Sequence, residues 1–545
     1  MRNRHSRSVR PRPARRSDTV VSVPKRTLVG VRTVLVPDGG GATLIRTDES
    51  GDPAGVPQRT EDVAATVREI EEAEHPRWVF EDTARAYPLL LAAGVRVQRS
   101  HDLTLTGALL DTRAGRFVPV AEAPVDDRIG LFDAVPWTAP DVVLERHRAQ
   151  VAAIGSDRRL RLLVAAESAG GLAAAEMSHD GLPFSTEAHL ALLADALGPR
   201  TPDHTPPARL REVADEVSAA FGRPVNPASQ PEVVAAFARE GIELGSTRKY
   251  LLREIEHPAV EPLLRYRDLA KLHSTNGWTW LDAWVRGNRF RPVYVPGGVV
   301  SGRWASRGGG ALQIPKALRT SVIAERGHTF VIADAGQLEP RILAAMSADA
   351  RMMAAAGADD LYALVAAEAF GGDRAKAKIA ILGVLYGATA GEARALLTML
   401  RRRFPVAVQL VEDAARAGER GEVVHSLLGR ACPPPSDSWW SNGDAHARGR
   451  FTRNFVVQAT ASEWALCLLA DLRRRLADSP DDGELVFFQH DEVVVHTRRP
   501  DAAAVHVLAA AGAATRLLFG DTPVRFPMDV EIRDCYAEPA PSNAR

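Results

Sequence analysis

Residues 329–334 read TFVIAD, and residues 485–495 read LVFFQHDEVVV. The first run ends in Asp334, and the second surrounds Asp491. Such apolar runs are typical of buried strands, and the interruption at His490-Asp491 predicts a hairpin with a carboxylate near its tip. Two strand-end aspartates can meet across one sheet and share metal ions about 3.5–4 Å apart. Taken singly, each aspartate would more often be a turn or cap residue.

A segment between these aspartates carries Arg374, Lys378, Leu382 and Tyr386 at every fourth position. On a helix, steps of four residues advance by about 40°, so the side chains share one broad face. Two cations suit a triphosphate, and an aromatic ring can pack against a base and sugar. Together with the aspartates, this face predicts an enzyme that transfers phosphoryl groups. A solvated basic face is the ordinary alternative when the motif is taken alone.

Composition sets wide limits on the protein class. With 545 residues, of which 46% are apolar, the chain predicts about three or four domains. Its 68 basic and 68 acidic residues cancel, so net charge decides nothing about a nucleic-acid partner. Three scattered cysteines form no metal spacing and suit a reducing cytosol. No apolar run reaches the roughly 18 residues of a membrane span, and no signal-peptide core is found.

The patterns along the chain predict a multidomain α/β protein. The first segment has seven arginines in its first sixteen positions and too few apolar residues to fold, so we expect a disordered basic tail. The next segment mixes strand-like and helical runs, for example Trp78–Phe80 and Thr83–Ala93. A mostly helical segment follows, then a strand-like one, a helical block and a mixed end. The predicted limits are 1–26, 27–155, 156–290, 291–345, 346–420 and 421–545.

The residues around both aspartates resemble those of the family A DNA polymerases, the class of bacterial DNA polymerase I. The family's first palm motif, Asp-Tyr-Ser-Gln-Ile-Glu-Leu-Arg, is similar to residues 334–341, DAGQLEPR. Its fingers motif, Arg-x3-Lys-x3-Phe-x3-Tyr-Gly, is similar to residues 374–387. Its second palm motif, Val-His-Asp-Glu, is similar to residues 489–492, QHDE. With further stretches in the same order, the resemblance covers about 160–545.

The resemblance implies a right-hand polymerase with a thumb (156–290), a palm in two parts (291–345 and 421–545) and fingers (346–420). Such an enzyme is template-directed and adds deoxynucleotides to a primer 3′ end by two-metal phosphoryl transfer. Its expected partners are primer-template DNA and dNTPs. We expect a monomer that acts in DNA replication or repair in the bacterial cytoplasm, associated with the nucleoid and with no membrane.

The resemblance also assigns roles to individual residues. Asp334 and Asp491 would bind two Mg²⁺ ions, with Glu492 as a further catalytic carboxylate. Lys378 would also act as the acid for the pyrophosphate leaving group. The residues expected to hold the incoming dNTP are Arg374, Lys378, Leu382, Tyr386, Gln337 and Glu339, the last crowding a 2′-OH. The residues expected to contact the primer terminus are Arg303, Arg450, Asn454, Gln458 and His490.

Three positions depart from the family's motifs. Leu382 replaces the aromatic residue beside the sugar, which leaves sugar discrimination open. Ala335 and Pro340 replace a tyrosine and a leucine of the first palm motif. Because proline lacks a backbone donor, we expect Pro340 to disturb local pairing.

Residues 81–111 resemble the middle of a family A 3′–5′ exonuclease domain, which implies a ribonuclease H-like fold. An active editing site needs an Asp-x-Glu on the first strand, an aspartate on the middle helix and a late Tyr-x3-Asp. Residues 27–60 contain no Asp-x-Glu, and Ala86 stands at the middle position. Without those carboxylates two metal ions are not held, so we expect a degenerate, structural domain.

Two alternatives remain open at this point. One is a bifunctional exonuclease and polymerase whose editing carboxylates are cryptic, with Asp38, Glu49, Asp82 and Asp102 as the candidates. The other is a catalytically weak scaffold that binds template-primer DNA, which the three departures from the palm and fingers motifs would favour.

Overall fold

The structure is a computed structural model that describes residues 32–117, 136–202, 205–307, 309–310, 312, 314–387 and 392–538. The basic tail predicted for residues 1–26 lies outside these ranges.

An α/β layer opens the described chain, as the sequence predicts. Its strands are β1 (Arg32–Asp38), β2 (Gly41–Thr47), β3 (Gln58–Thr60), β4 (Arg77–Phe80) and β5 (Arg99–Asp102). They form a sheet in the order β3-β2-β1-β4-β5, in which β1, β4 and β5 run parallel. Its helices are α1 (Val63–Glu74), α2 (Thr83–Ala92), α3 (Leu103–Arg113) and α4 (Pro140–Ile154). Asp62 and Asp82 accept hydrogen bonds from the first turns of α1 and α2, which explains where those helices begin.

The long helix α5 (Arg158–Asp180) lies between this layer and the rest of the protein. Leu172 and Ala175 pack into the core of the N-terminal sheet. Ala173 and Met177 pack into the largest core of the chain. The helix therefore contacts the residues on both sides of the domain limit predicted at 155, and that limit stays a prediction.

A helical segment follows, as predicted for this region. Its helices are α6 (Thr186–Leu197), α7 (Ala208–Ala220), α8 (Gln230–Arg239), α9 (Lys249–Leu252), α10 (Val260–Asn276) and α11 (Trp278–Trp284). Val217, Phe237 and Leu263 belong to a small core of their own, separate from the largest core of the chain. Short strands complete the segment: β6 (Leu182–Pro183), β7 (Val285–Arg286), β8 (Arg289–Phe290), β9 (Val293–Val295) and β10 (Ala305–Arg307).

The predicted helical block of residues 346–420 is also observed. The helices from the first palm motif onward are α12 (Leu338–Ser347), α13 (Ala350–Ala356), α14 (Leu361–Ala369), α15 (Arg374–Tyr386), α16 (Glu392–Arg403), α17 (Pro405–Glu419) and α18 (Asp437–Asn442). Helix α15 begins after Asp373, whose side chain accepts a hydrogen bond from the backbone N–H of Lys376, and ends at Gly387 in a left-handed conformation.

An antiparallel sheet in the order β12-β13-β11-β14 lies at the centre of the molecule. Its strands are β11 (Thr329–Ala335), β12 (Glu484–Gln489), β13 (Glu492–Thr497) and β14 (Met528–Arg533). The helices α19 (Ala445–Asp478) and α20 (Pro500–Phe519) cover one face and supply much of the core. The strand ending at Asp334 and the hairpin carrying Asp491 are therefore confirmed.

Helices α19 and α20 are also long and apolar enough to cross a membrane by length and composition alone. The apolar window of α19 is 83% buried inside the protein, as in the core helix of a folded domain, and that of α20 is 28% buried. The sequence analysis found no uninterrupted apolar run long enough to span a membrane. These two helices contain polar residues, but their hydropathy averaged over 18 residues is high enough for a membrane span.

A buried ion pair joins the N-terminal layer to the central sheet. Arg473 of α19 donates hydrogen bonds of 2.7 Å to both carboxylate oxygens of Glu176 on α5. The same guanidinium donates to the backbone carbonyls of Val97 and Gln98 in the N-terminal layer. The hydroxyl of Tyr87 donates to Glu176 at 2.5 Å. Burial alone would raise the pKa of Glu176, but the charge and hydrogen bonds of Arg473 lower it.

We predict that Arg473→Leu destabilises the protein by about 3–5 kcal/mol, because it leaves the Glu176 carboxylate buried without its cation. Chemical unfolding measured by circular dichroism checks this. The neighbouring Arg474→Leu is the control, since Arg474 forms an exposed helical pair with Asp471 worth at most about 1 kcal/mol. Equal effects of the two variants would contradict a structural role for the buried pair.

Candidate active site

The two aspartates meet at one edge of the central sheet. Strand β11 pairs with β13, which places Asp334 opposite Glu492. The backbone N–H of Ala335 donates to the carbonyl of Asp491 at 3.2 Å. His490, at the hairpin turn, takes a left-handed conformation with φ 60°. The predicted meeting of the two strand ends is therefore observed.

The carboxylates of Asp334, Asp491 and Glu492 lie close together, and the positive charge near them does not offset their mutual repulsion and burial. Burial, and then the charge of Asp334, raises the pKa of Asp491 to about 7. Burial and the charge of Asp529 raise the pKa of Asp334. Burial also raises the pKa of Glu492, although Tyr536 donates a 2.5 Å hydrogen bond to it. A divalent cation is the group that would relieve this repulsion, since Mg²⁺ prefers a few carboxylates together with phosphate oxygens and water.

A small cavity of about 200 Å³ opens beside the aspartates. Of the predicted site residues, those that line it are Arg303, Asp334, Gln337, Glu339, Leu382, His490 and Asp491. Those outside its lining are Arg374, Lys378, Tyr386, Arg450, Asn454, Gln458 and Glu492. Half of the predicted site residues therefore line this cavity, and the roles assigned to both groups stay predictions.

Glu339 joins two sides of the cavity, the segment of Arg303 and the end of α15. Its carboxylate accepts a hydrogen bond from Arg303 and one of 2.7 Å from the hydroxyl of Tyr386. Tyr386 is 39% exposed, and its hydroxyl also interacts with Gln458 of α19. Burial and the bond to Glu339 raise the pKa of Tyr386 to about 12. At neutral pH the phenol therefore remains a donor that holds Glu339 at the cavity wall.

The first turn of α12 shapes the opposite wall. Gln337 precedes the helix in a left-handed conformation with φ 59°. Its amide is hydrogen-bonded within the protein, because it donates to Asp360 at 2.9 Å and accepts from the N–H of Leu361 at 2.9 Å. Pro340 lies in the first turn of α12, where backbone N–H groups have no partner inside the helix. The expected disturbance at Pro340 was therefore wrong, because no helical hydrogen bond is lost there.

Helix α15 presents the predicted cationic face. Arg374 donates to Asp360 at 2.7 Å and lies over the ring of Tyr362, with 5.6 Å from its guanidinium carbon to the ring centre. Lys378 is exposed, and Leu382 contributes to the cavity wall. The arrangement leaves a basic surface next to the cavity, with a flexible leucine at the position nearest to the carboxylates.

Three predicted residues follow one face of α19. A side chain at Gly387 would lie 3.0 Å from Cγ of Arg450, so Arg450 packs against the end of α15. Asn454 has a buried side-chain oxygen with no hydrogen-bond partner among the described residues. Gln458 reaches Tyr386. Their predicted contacts with a primer terminus remain predictions.

Several contributing residues were not among the predicted ones. Asp529 of β14 lies directly opposite Asp334 in the strand register. Tyr362 lines the cavity, and Asp360 ties Gln337 to Arg374. The alternating stretch 528–532, MDVEI, marks a strand in the sequence, but nothing local shows that its aspartate faces the site.

A second group of possible ligands lies away from this cavity. Glu325, His328 and His496 bring potential metal-binding atoms within 4.8 Å of one another. However, Nε2 of His496 accepts from the backbone N–H of Glu325 at 3.2 Å, and its Nδ1 lies 3.0 Å from Glu484. Both ring nitrogens are already used, so this cluster is a hydrogen-bonded network between strands.

Comparison with known proteins agrees with this geometry. The family model described as DNA polymerase family A matches residues 207–534, more than half of the chain. A thermostable DNA polymerase I of Thermus aquaticus is 28% identical over 312 residues, which cover 52% of this chain and 36% of that protein. A DNA polymerase I of Chloroflexus aurantiacus is 28% identical over 269 residues, which cover 44% of this chain and 28% of that protein.

Among solved structures, the chain is similar to the POL domain of Pol1 from M. smegmatis in complex with DNA primer-template and dNTP. The TM-score is 0.67 at 19% identity, covering 93% of this chain and 95% of that one. At this identity the likeness shows the fold alone, which is that of a polymerase domain. The chain belongs to DNA polymerase family A, as its motifs predicted. It spans only 28–36% of the length of the two curated relatives above.

We predict that Asp491→Asn stabilises the metal-free protein at pH 8 by about 2–4 kcal/mol. The pKa of Asp491 is about 7 in the folded protein and ordinarily 3.8. Between these values the folded state binds more protons than the unfolded state, so stability falls as pH rises. Unfolding in EDTA from pH 4 to 8 checks this. The control is Asp521→Asn, which removes an exposed carboxylate. If the free energy of unfolding of Asp491→Asn depended on pH as that of the wild type does, the raised pKa would not belong to Asp491.

Proposed function

We propose that this protein is a template-directed DNA polymerase that adds dNTPs to a primer 3′ end. The observation that carries the proposal is the meeting of Asp334 and Asp491 at one sheet edge, beside a cavity that the basic face of α15 borders. The names of its relatives support the same reaction, and the shared family supports carrying it over to this chain. We further propose a monomer that acts on nucleoid DNA in the bacterial cytoplasm.

Asp334 and Asp491 are proposed to hold two Mg²⁺ ions, with Glu492 and Asp529 adding negative charge nearby. The fit rests on the meeting of Asp334 and Asp491 at one sheet edge, where partial removal from water and the charge of neighbouring carboxylates raise the pKa values of both. When bound, two such ions stabilise the attacking and leaving oxygens of an in-line displacement. Glu492 accepts a hydrogen bond from Tyr536 and is not among the residues that line the cavity, so we assign it a supporting charge.

The basic face of α15 is proposed to hold the incoming triphosphate. Arg374 offers a planar guanidinium that matches phosphate oxygens, and exposed Lys378 offers a mobile cation on the same face. Arg374 is paired with Asp360, so binding a triphosphate would exchange one anionic partner for another. Lys378 would donate a proton to the pyrophosphate as it leaves, which limits charge build-up there.

The wall made by Glu339, Tyr386 and Leu382 is proposed to select the sugar. Glu339 is held on two sides, by Arg303 and by Tyr386. A fixed carboxylate at the cavity edge crowds a 2′-OH and favours deoxynucleotides. Arg303, His490 and the α19 residues Arg450, Asn454 and Gln458 would contact the primer terminus.

The N-terminal layer is proposed to be an exonuclease-like domain without editing activity. Asp38 pairs with Arg59, and Asp82 caps α2. Asp102 accepts hydrogen bonds of 2.8 Å from the backbone N–H groups of Thr83 and Leu105. Glu49 lines a cavity together with arginines. Burial, and then the charge of Asp82, raises the pKa of Asp102 to about 6, but both aspartates cap helices. The local contacts of these carboxylates support a structural role over a bifunctional exonuclease.

We predict that Asp334→Ala and Asp491→Ala each lower the rate of Mg²⁺-dependent primer extension by about a thousand-fold. Template-primer binding should persist, because phosphate contacts supply most of the affinity. Mg²⁺ should raise the thermal midpoint of the wild type at pH 8 but not that of Asp491→Ala. Extension is measured on a labelled primed template, and 3′-end shortening is scored without dNTPs.

The control is Asp521→Ala, which removes an exposed carboxylate in the loop between α20 and β14. Normal extension by both palm variants would show that the site is misassigned. No extension by the wild type despite tight DNA binding would favour the scaffold alternative. Primer shortening that survives Asp491→Ala would favour the bifunctional exonuclease.

We predict that Glu339→Ala lowers the preference for dNTPs over ribonucleotides by about ten- to a hundred-fold, since it removes the carboxylate that crowds the 2′-OH. The ratio of kcat/KM for the two nucleotides measures this. Glu531→Ala, which removes an exposed carboxylate of strand β14, is the control. An unchanged ratio in Glu339→Ala would assign sugar selection to other residues.

A further inference from the structure

Three arginines stand side by side at the amino ends of the parallel strands of the N-terminal sheet. Arg32 of β1 is in register with Arg77 of β4, and Arg77 is in register with Arg99 of β5. Residues paired in this way point to the same face of a sheet. Like charges directly opposite one another destabilise a sheet. The row of arginines therefore costs folding stability, and a contribution to stability does not account for it.

The row lines a cavity of about 290 Å³ between the sheet and the adjoining ends of α4 and α5. Arg161, in the first turn of α5, faces into the cavity from the other side. His101 and Glu49 complete its polar lining, and Ile154 and Val164 are among its apolar residues. The site is therefore assembled from β1, β4, β5, the loop after β2 and two helix ends.

Positive charge in this cavity is not balanced by the protein. Arg77 donates to the carbonyl of Ser100 at 2.8 Å, Arg99 to the carbonyl of His75, and Arg161 to that of Gly155 at 2.7 Å. Carbonyls satisfy hydrogen bonds but neutralise no charge. Within the described ranges, none of the four lining arginines forms an ion pair with a carboxylate, although Glu49 and Asp48 act on Arg32 at longer range.

The histidines beside the cavity add no positive charge at neutral pH, and they also do not offset the charge of the arginines. Burial and the nearby Arg32 lower the pKa of His101 to about 4, despite its bond to Gln150. His147, 3.5 Å from Arg32, has its pKa lowered to about 3, chiefly by burial. Burial, then Arg99 and Arg32, lowers the pKa of Arg77 to about 10. The cavity thus presents four guanidinium groups against one lining carboxylate.

We propose that this cavity binds a small anion with two or more phosphate groups, such as pyrophosphate or the polyphosphate end of a nucleotide. Guanidinium groups match phosphate oxygens through paired, charge-assisted hydrogen bonds. A strand of nucleic acid fits less well, because single-strand sites combine a basic groove with stacked aromatic rings. No Phe, Tyr or Trp is among the residues lining this cavity. The site is separate from the palm cavity and does not depend on the polymerase assignment.

An anion bound here would join the N-terminal sheet to α5. Arg32, Arg77 and Arg99 lie on the sheet, whereas Arg161 lies on the helix. The same part of α5 also packs, through Leu160 and Leu163, with Leu428 beyond the fingers. Binding would therefore strengthen the contact between the N-terminal layer and the polymerase region, which the Arg473–Glu176 pair already makes at the other end of α5.

The test is isothermal titration of the full-length chain with pyrophosphate in EDTA. An Arg374→Ala, Lys378→Ala background removes the binding expected on the fingers. We expect saturable binding that Arg161→Gln weakens by about ten-fold or more, since a hydrogen bond between charged groups is lost. Arg158→Gln, one turn earlier on the exposed side of α5 and outside the cavity lining, should bind as the background does. Arg161→Lys should keep part of the affinity.

Two further measurements make the outcome decisive. The thermal midpoint without ligand shows that Arg161→Gln still folds, and pyrophosphate should raise the midpoint of the background but not of this variant. In the otherwise wild-type chain, Arg161→Gln should leave primer extension unchanged. The proposal is overturned if no saturable binding occurs, or if Arg161→Gln and Arg158→Gln bind alike. It is also overturned if Arg161→Gln weakens binding of a single-stranded oligonucleotide while pyrophosphate and dATP do not bind.

Discussion

The buried guanidinium of Arg341 is the constraint on which the candidate site depends most. This side chain is fully buried and donates hydrogen bonds to the carbonyls of Gly336, Ala356, Ala358, Asp359 and Arg525. Those carbonyls belong to the turn after Asp334, the loop before α14 and the segment leading to β14. One fixed cation thereby positions the carboxylate-bearing strand, the loop that carries Asp360 and the strand that carries Asp529. A neutral side chain would leave these carbonyls unsatisfied in the interior.

Groups of neighbouring charges in this protein fall into two kinds with different consequences. Arg473 with Glu176, and Arg430 with Glu167, are ion pairs whose side chains are nearly inaccessible. Each partner compensates the other, so both pairs join distant segments of the chain. The carboxylates at Asp334 and Asp491 and the arginines at Arg32, Arg77 and Arg99 are instead concentrations of one sign. Unbalanced charge of this kind lowers the stability of the empty protein, and a ligand of opposite charge recovers it.

The local patterns predicted the candidate site well where a short motif carried the information. Apolar runs ending at Asp334 and flanking Asp491 predicted a strand and a hairpin, and four-residue spacing predicted the face of α15. Expectations that depended on distant parts of the chain were less accurate. Pro340 was expected to disturb pairing, yet it lies in a first helical turn that has no such pairing to lose. The expected contact of Gln337 with the incoming nucleotide stays a prediction, and its amide also ties α12 to α14.

By itself, the sequence determined the family, the strands that end in carboxylates and the cationic helix, because spacing and hydrophobic periodicity are local properties of the chain. Only the tertiary structure decided that Asp529 lies opposite Asp334, and that Glu339 is held between Arg303 and Tyr386. It also decided that arginines from separate strands form one row. The physical reason is that strand register and helix packing bring together residues far apart in the chain, and no local pattern records which of them will face one another.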